Sequence, residues 1–420
     1  MATKRPAKGR KPKKAKEVDS CDGHSDGSTD VGDVMLAMDE AFDFPHDSEE
    51  NAVSIDTFDA LAAWPPIAGH RDCVKGFAFD RESSKVFTCS WDKTVLIWDA
   101  LKVEQVGVLP HASWVNSVAA VSSSVSGLQV FTASEDGNLT MWQQFETPTG
   151  VEFNVAGQWR VSHGPLTSMH LHEESTVYCV SLDQVVAFNI ASGSIVRTYR
   201  LDSEISVVLT VDELLYCGCD SGKISCLDVI GGFALRQLTG HKGAVRQLIV
   251  AAAYNTLFSA GDDGAVRVWM LSTGLCTKIW KIHTHPIISL TVHVGERDRF
   301  LYSAAMDGTV RCTRIATGAS SIARHCPVSA MCAIDLPDQS HGQGREKPLL
   351  SAAAVAAANL RLGAAPTSRR SSIRDEIPSS LPTGGRLFCG DFKGRLFVFP
   401  TSSTENNVLA TDIQKQRARM

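Results

Sequence analysis

Histidine, hydroxyl and carboxylate side chains recur together along the chain, and these residue types form the catalytic triads of hydrolases. In a triad the histidine takes the proton of a serine or threonine hydroxyl, and the aspartate orients the imidazole. The sets are His70, Thr88 and Asp92; His111, Thr132 and Asp136; and His241, Ser259 and Asp263. Three similar sets do not all serve as active sites, so we interpret them as satisfied structural networks.

Other catalytic motifs are also weak in this sequence. Residues 23–27, GHSDG, match the hydrolase motif G-x-S-x-G by letter, but both flanks are acidic and lack the strand and helix that this motif requires. No phosphate-binding G-K-[ST], H-E-x-x-H or dinucleotide-binding glycine motif in a strand–helix context occurs. The 12 cysteines include no C-x-x-C pair. The sequence therefore predicts no catalytic residue, no cofactor and no metal site.

The first 60 residues have two opposite charge blocks. Residues 17–60 contain 14 aspartates and glutamates and no lysine or arginine. Residues 1–16 contain only basic charges, namely Lys4, Arg5, Lys8, Arg10, Lys11, Lys13, Lys14 and Lys16. Such blocks bury too little apolar surface to offset the entropy lost on ordering, so we predict that residues 1–58 form a disordered arm.

The basic block, residues 4–16, leaves three interpretations open. It is a nuclear-import signal, a contact with nucleic acid or the ribosome through released counterions, or a solvated tail. No aromatic residue is interleaved, so base stacking is not expected. Within the acidic block, residues 31–42 have apolar residues at helical spacing, and this short helix could fold on a partner.

Hydropathy excludes a membrane protein. The mean hydropathy is -0.04, and no apolar run approaches the length of a membrane-spanning helix. No apolar segment follows the basic N-terminus as in a secretory signal. We therefore expect a protein of the nucleus or cytoplasm.

The remaining chain repeats a unit of strand, tight turn and strand. Residues 85–100, KVFTCSWDKTVLIWDA, are the clearest unit, and the turn positions fall at residues 92, 136, 183, 221, 263, 307 and 393. Each unit alternates apolar and polar residues and is rich in Val, Ile and Phe, which is typical of strands. A repeat of about 40–45 residues predicts four-stranded blades and an all-β propeller.

The number of blades depends on the interval between turn positions 307 and 393, which is two repeats wide. LLSAA at 349–353 resembles LYSAA at 301–305, so we favour eight blades. The alternative is seven blades with a disordered insertion at residues 337–384. In either case we predict a propeller over residues 59–400, with residues 59–69 supplying its last strand, and a flexible tail at 401–420.

These units resemble the WD40-repeat family over residues 67–400. The resemblance implies a buried tetrad in each complete blade, in which histidine, serine or threonine, aspartate and tryptophan form a hydrogen-bonded chain. The matching positions are His70, Thr88, Asp92 and Trp98; His111, Thr132, Asp136 and Trp142; and His241, Ser259, Asp263 and Trp269. The sixth unit has Thr313 in place of tryptophan, and the third keeps His163 and Asp183. The units also resemble, more weakly, the propeller of plant CCCH zinc-finger WD40 proteins, but this sequence contains no such zinc finger.

The tetrad joins the loop before the first strand to the turn between the second and third strands, so both lie at one end of the ring. The flanking residues there are Trp91, Trp114, Glu135, Asp262 and Met306. Tryptophan is enriched in binding hot spots, so we predict that this end binds a basic or apolar insertion of a partner.

The sequence thus predicts a non-catalytic scaffold for protein–protein interaction, present as a monomeric propeller within a larger complex. The alternative is a nuclear or ribosome-associated factor tethered to nucleic acid through residues 4–16. Ser372, which follows Arg369 and Arg370, is a candidate phosphorylation site.

Overall fold

Seven antiparallel sheets of four strands each make up the part of the chain that the computed structural model describes. That part comprises residues 67–123, 127–147, 150–173, 175–251, 255–294, 299–334 and 385–401, all within one unit, residues 62–420. Within these ranges no helix is long and apolar enough to cross a membrane. The predicted arm and insertion fall outside the described residues, as does the predicted C-terminal tail except for its first residue, Thr401, which is buried.

Each sheet is one blade, and the chain begins with a strand of the last one. β1 (Ile67–Ala68) is followed by blade 1, with β2 (Val74–Asp80), β3 (Lys85–Ser90), β4 (Thr94–Asp99) and β5 (Glu104–Pro110). Blade 2 has β6 (Val115–Ser123), β7 (Gly127–Ser134), β8 (Asn138–Thr147) and β9 (Gly150–Arg160). Blade 3 has β10 (Ser168–His172), β11 (Thr176–Ser181), β12 (Gln184–Asn189) and β13 (Ser194–Arg200).

The second half of the ring repeats this order. Blade 4 has β14 (Ile205–Val211), β15 (Leu214–Cys219), β16 (Ile224–Asp228) and β17 (Ala234–Leu238). Blade 5 has β18 (Val245–Ala251), β19 (Thr256–Gly261), β20 (Ala265–Met270) and β21 (Cys276–Lys281). Blade 6 has β22 (Ile287–Val294), β23 (Arg299–Ala305), β24 (Thr309–Arg314) and β25 (Ser320–His325). Blade 7 has β26 (Ala330–Ile334), β27 (Arg386–Gly390), β28 (Arg395–Pro400) and β1.

The middle strands of each blade are the most buried, because both of their faces pack against a neighbouring blade. β3 illustrates this, with only its first residue partly exposed. Phe87 and Ile97 of blade 1 form one core cluster with Val118 and Val130 of blade 2. The outer strands are mostly exposed, as in β5, where only Leu109 is buried. Each interface between blades is therefore a small sheet-on-sheet core.

The ring is closed by the N-terminal strand. β1 pairs with β28, with Ile67 opposite Leu396 and Ala68 opposite Arg395. The innermost strands of neighbouring blades contact one another around the whole ring, including β26 of blade 7 and β2 of blade 1. Within the segment 59–69 that was predicted to supply the last outer strand, Ile67 and Ala68 form that strand, and residues 59–66 lie outside the described part of the chain.

The preference for eight blades was wrong. β26 pairs directly with β27, so residues 335–385 connect the first two strands of blade 7 and do not form a blade in the ring. Since blade 7 contacts both blade 6 and blade 1, no position remains for another blade. LLSAA at 349–353 lies outside the described residues.

Candidate functional site

Blades 1 and 5 hold complete tetrads. In blade 1 the Trp98 indole donates to Thr88 Oγ1 (3.0 Å), and His70 Nε2 lies 2.8 Å from the same oxygen. His70 Nδ1 lies 2.9 Å from Asp92 Oδ2. Blade 5 repeats this arrangement with 2.7 Å from Trp269 Nε1 to Ser259 Oγ, 2.7 Å from that oxygen to His241 Nε2, and 2.9 Å from His241 Nδ1 to Asp263.

The carboxylates of these two tetrads are held in their ionised form. Burial by itself raises the pKa of Asp92, but hydrogen bonds from His70 and Thr94 outweigh it and leave this pKa well below its usual range. The pKa of Asp263 is lowered in the same way by His241 against the opposing effect of burial. Each aspartate therefore remains a strong acceptor that fixes its turn to the preceding loop.

Blade 2 does not complete its tetrad, which corrects the sequence prediction for His111 and Asp136. His111 Nδ1 lies 3.1 Å from the Leu109 carbonyl oxygen, so its N–H is used there. Asp136 instead accepts hydrogen bonds from Ser134 Oγ (2.6 Å) and Asn138 Nδ2 (2.8 Å). The other two members remain joined to the histidine. His111 Nε2 lies 2.8 Å from Thr132 Oγ1 and accepts the Trp142 N–H at 3.3 Å.

The remaining blades retain parts of the network. In blade 6, His283 reaches Ser303 (2.8 Å) and Asp307 (3.2 Å), and Thr313 replaces the tryptophan. In blade 3, His163 and Asp183 are both exposed and have no tetrad, and Ser162 bonds to Ser181 at 2.7 Å. Blades with fewer polar links depend more on apolar packing with their neighbours.

Geometry gives these Ser, His and Asp sets a structural role. The hydroxyl-bearing residues Thr88, Thr132 and Ser259 are fully buried, so a substrate has no access to a nucleophile there. Among the described residues, no group of three or more His, Cys, Asp or Glu side chains is placed to hold a metal ion. Residues 4–16 and Ser372 lie outside the described part of the chain.

We call the end of the ring with the turns between second and third strands the turn face. Here the rings of Trp91 and Trp114 stack with centroids 5.3 Å apart and planes at 27°. Lys75 Nζ lies 4.8 Å from the Trp91 ring centroid, and Trp91 Nε1 donates to Asn116 Oδ1 at 3.0 Å. Trp114 remains 43% exposed. The structure thus brings together two predicted residues from different blades, Trp91 and Trp114, and leaves the Trp114 ring exposed to solvent.

The two predicted acidic residues on the turn face already have partners in their own blades. Arg246 donates from Nε and Nη2 to the Asp262 carboxylate, each at 2.7 Å. Asn116 Nδ2 donates to Glu135 Oε2 at 2.7 Å. Both donors occupy the second position of an inner strand, at a β-bulge that turns the side chain toward this end. A partner's basic group would have to compete with these donors, so the prediction of a basic insertion loses its support.

Sequence reasoning missed two exposed apolar residues of the same face. Phe392 of blade 7 is 46% exposed and Leu182 of blade 3 is 48% exposed, and each immediately precedes a turn position. The same offset that located Trp91 and Met306 would have found them. Met306 (59% exposed), Phe392 and Trp91 lie in the consecutive blades 6, 7 and 1, and Trp114 stacks on Trp91. We call these four residues the apolar arc.

A closed ring of seven four-stranded antiparallel blades defines a β-propeller. Within its blades, the networks of histidine, hydroxyl and tryptophan side chains are the feature to compare with known families. The family model for the WD domain, G-beta repeat (WD40), matches residues 65–99, 103–143 and 232–270, which include the blades with complete tetrads. In these repeats the chain is similar to the WD40-repeat family.

Known proteins with similar sequences match about half of this chain. The SIR4-interacting protein SIF2 of Saccharomyces cerevisiae is 24% identical over 47% of this chain and 38% of its own length. The nuclear distribution protein PAC1 of the same species (strain JAY291) is 27% identical over 54% of this chain and 44% of its own. Mitochondrial division protein 1 of Schizosaccharomyces pombe is 23% identical over 53% and 33%. The chain therefore spans less than half the length of each of these relatives.

Proposed function

We propose that this protein is a non-catalytic scaffold that binds another protein through the apolar arc, Met306, Phe392, Trp91 and Trp114. The observation that carries this proposal is the exposure of Met306, Phe392 and Trp114 at one end of the ring, with the partly exposed Trp91 on the blade between those of Phe392 and Trp114. Exposed aromatic residues and methionine are enriched at interfaces, where they supply most of the binding energy.

The frame beneath the arc is rigid, which favours binding. The turns that carry these residues are anchored by the tetrad of blade 1 and by the bonds of Asp307 in blade 6 and Asp391 in blade 7. A preorganised surface loses little conformational entropy when a partner docks. A partner that inserts apolar side chains fits this arc better than a nucleic acid, which needs cations for its phosphates.

We assign no catalytic role to the chain, because the hydroxyls of its Ser, His and Asp sets are buried in structural networks. We place the scaffold in the nucleus or cytoplasm on the basis of the lysine-rich residues 4–16. One relative is named for an interaction with SIR4, and this supports an interaction function without identifying the partner here.

The test is affinity capture from cell extract treated with nuclease, followed by mass spectrometry. The arc variant carries Met306→Ser, Phe392→Ser and Trp114→Ser. The matched control carries Ile230→Ser, Phe233→Ser and Leu275→Ser, which remove apolar side chains that are, as a set, more exposed and lie away from the turn face. We expect proteins captured by the wild-type chain to be retained by the control and lost from the arc variant. Unchanged capture by a folded arc variant would contradict the proposal.

A further inference from the structure

The outer hairpin of blade 2 is longer than that of any other described blade. Its strands β8 and β9 have 10 and 11 residues. In the other blades the third strand has five or six residues and the outer strand at most seven. The hairpin therefore projects by about four residues, roughly 13 Å, past the body of the blade.

The free edge of this hairpin presents backbone groups at defined residues. β9 is the outermost strand of its sheet. Thr147 and Gly150 form the pair that closes the hairpin, so they exchange both backbone hydrogen bonds. From there, pairs that are hydrogen-bonded to β8 alternate along the ladder with pairs that are not. Consequently the N–H and C=O groups of Val151, Phe153 and Val155 point away from β8. An unpaired row of such groups is a template for another strand.

The side chains along this edge favour pairing and do not prevent it. Val151 and Val155 are 51% and 52% exposed, and they share a face with the partly buried Phe153. The outer strands of blades 3 to 6 each carry a basic residue, in order Arg197, Arg236, Lys278 and Arg324. Such charges block edge-to-edge association. In β9 the basic residue is Arg160, the last of the strand, so its projecting part around Phe153 carries only the charge of Glu152.

We propose that β9 pairs with β9 of a second copy of this chain, antiparallel and centred on a two-fold axis at Phe153. In this register Phe153 faces its own equivalent and Val151 faces Val155, so the residues with outward-pointing backbone groups meet as hydrogen-bonded pairs. Glu152 then faces Asn154, which can donate to its carboxylate. A shift that centred the axis on Glu152 would place two carboxylates opposite each other, which is unfavourable. The sequence of the strand thus favours this register over the one centred on Glu152.

Sedimentation velocity on the full chain tests the dimer. A short pair of edges buries little surface, so we expect a dissociation constant on the order of 10⁻⁵ M. The variant Val155→Lys places an ammonium group on the paired face, and we expect it to weaken the dimer at least tenfold. The control is Val108→Lys on β5, which alters a valine of similar exposure on another outer strand and should leave the dimer unchanged.

Cysteine substitutions test the register. Across the axis the Cα atoms of residue 153 would lie about 5.5 Å apart, which suits a disulfide, whereas residues 152 would be too distant. We expect Phe153→Cys to form a covalent dimer on mild oxidation and Glu152→Cys and the wild-type chain to remain uncrosslinked. A full chain that stays monomeric at about 200 µM, or equal effects of the two lysine variants, would overturn the dimer. Equal crosslinking at 152 and 153 would overturn the register.

Discussion

The indole rings of Trp91 and Trp114 stack 5.3 Å apart although they belong to different blades. Trp91 is also covered by Lys75 and donates its N–H to Asn116 of the neighbouring blade. Trp91 therefore links blade 1 to blade 2 and also lies on the turn face. Trp114 has no such anchors among these contacts and offers its ring to solvent. The two tryptophans should therefore differ in what they contribute to stability and to binding.

Replacing each tryptophan by alanine should separate these roles. Trp91→Ala removes a stacked ring, a cation–π contact and a hydrogen bond, and we expect it to lower the free energy of unfolding by about 2–4 kcal/mol. Trp114→Ala should cost less than about 1.5 kcal/mol, because much of this ring is exposed in the folded state. Urea denaturation measures both changes.

The order should be reversed for partner binding. Relative to the stability that it loses, Trp114→Ala should weaken binding more than Trp91→Ala. We expect Trp114→Ala to weaken partner capture at least tenfold with little change in melting temperature, as is usual for a hot-spot aromatic residue. Phe233→Ala, which removes an exposed ring elsewhere, is the control. A loss of stability in Trp114→Ala as large as that in Trp91→Ala would contradict this division.

The tetrads predict a graded series of aspartate variants. Asp263→Ala leaves His241 without its acceptor, and we expect a loss of about 1–3 kcal/mol in the free energy of unfolding. Asp136→Ala should cost less, since His111 is bonded to Leu109 and not to Asp136. Ser221→Ala, at the turn position of blade 4, should have the smallest effect. Equal shifts in the denaturation midpoints of all three variants would refute the assignment.

Much of this fold could be predicted because its signals are local. A strand such as β3 has β-branched and aromatic residues within six positions, and the turn that follows it has the residue types that a tight turn requires. The closing strand could also be predicted, because the last repeat lacked a fourth strand and the segment before the first repeat could supply one. The confirmed pairing of Ile67 with Leu396 shows that counting strands per repeat was sufficient there.

The remaining features depend on three-dimensional neighbours that a repeat pattern does not specify. The first two strands of blade 7 are separated by residues 335–385, so composition within this segment gave the wrong number of blades. The direction of the His111 ring depends on a competing carbonyl group two residues away. The availability of Asp262 depends on Arg246, which lies on a different strand and reaches it only because of a bulge.

Acid should destabilise the propeller at the seam between blades 3 and 4. His170 on β10 lies 2.8 Å from Thr210 Oγ1 on β14, and burial together with the charge of His172 lowers its pKa from 6.5 to about 4. The folded state therefore keeps this imidazole neutral, while the unfolded chain binds a proton below about pH 6.5. Stability should fall between pH 6.5 and 4, by at most about 1.4 kcal/mol per pH unit for this one group.

Melting temperatures of the wild-type chain and His170→Gln between pH 4.5 and 7.5 test this effect. We expect a shallower decline for the variant, which has no proton to bind at this position. The carboxylates of Asp92 and Asp263 have lowered pKa values when folded, so their contribution is present above their ordinary value and is lost in stronger acid. Parallel curves for the two proteins would show that His170 does not contribute.

Closure of the ring by β1 should be essential to the fold. Ile67 packs with the cluster that contains Trp98 and Leu396, and its strand covers part of the edge of β28. We expect a chain of residues 51–420 to unfold cooperatively and a chain of residues 70–420 to aggregate, because loss of β1 exposes that edge. In the full chain, Ile67→Asp should lower the free energy of unfolding by about 1–3 kcal/mol, since it brings a carboxylate against apolar side chains. Val106→Asp, at a 53% exposed position on β5, is the control and should change it little. If residues 70–420 melted cooperatively at the same temperature as residues 51–420, β1 would not be what closes the ring.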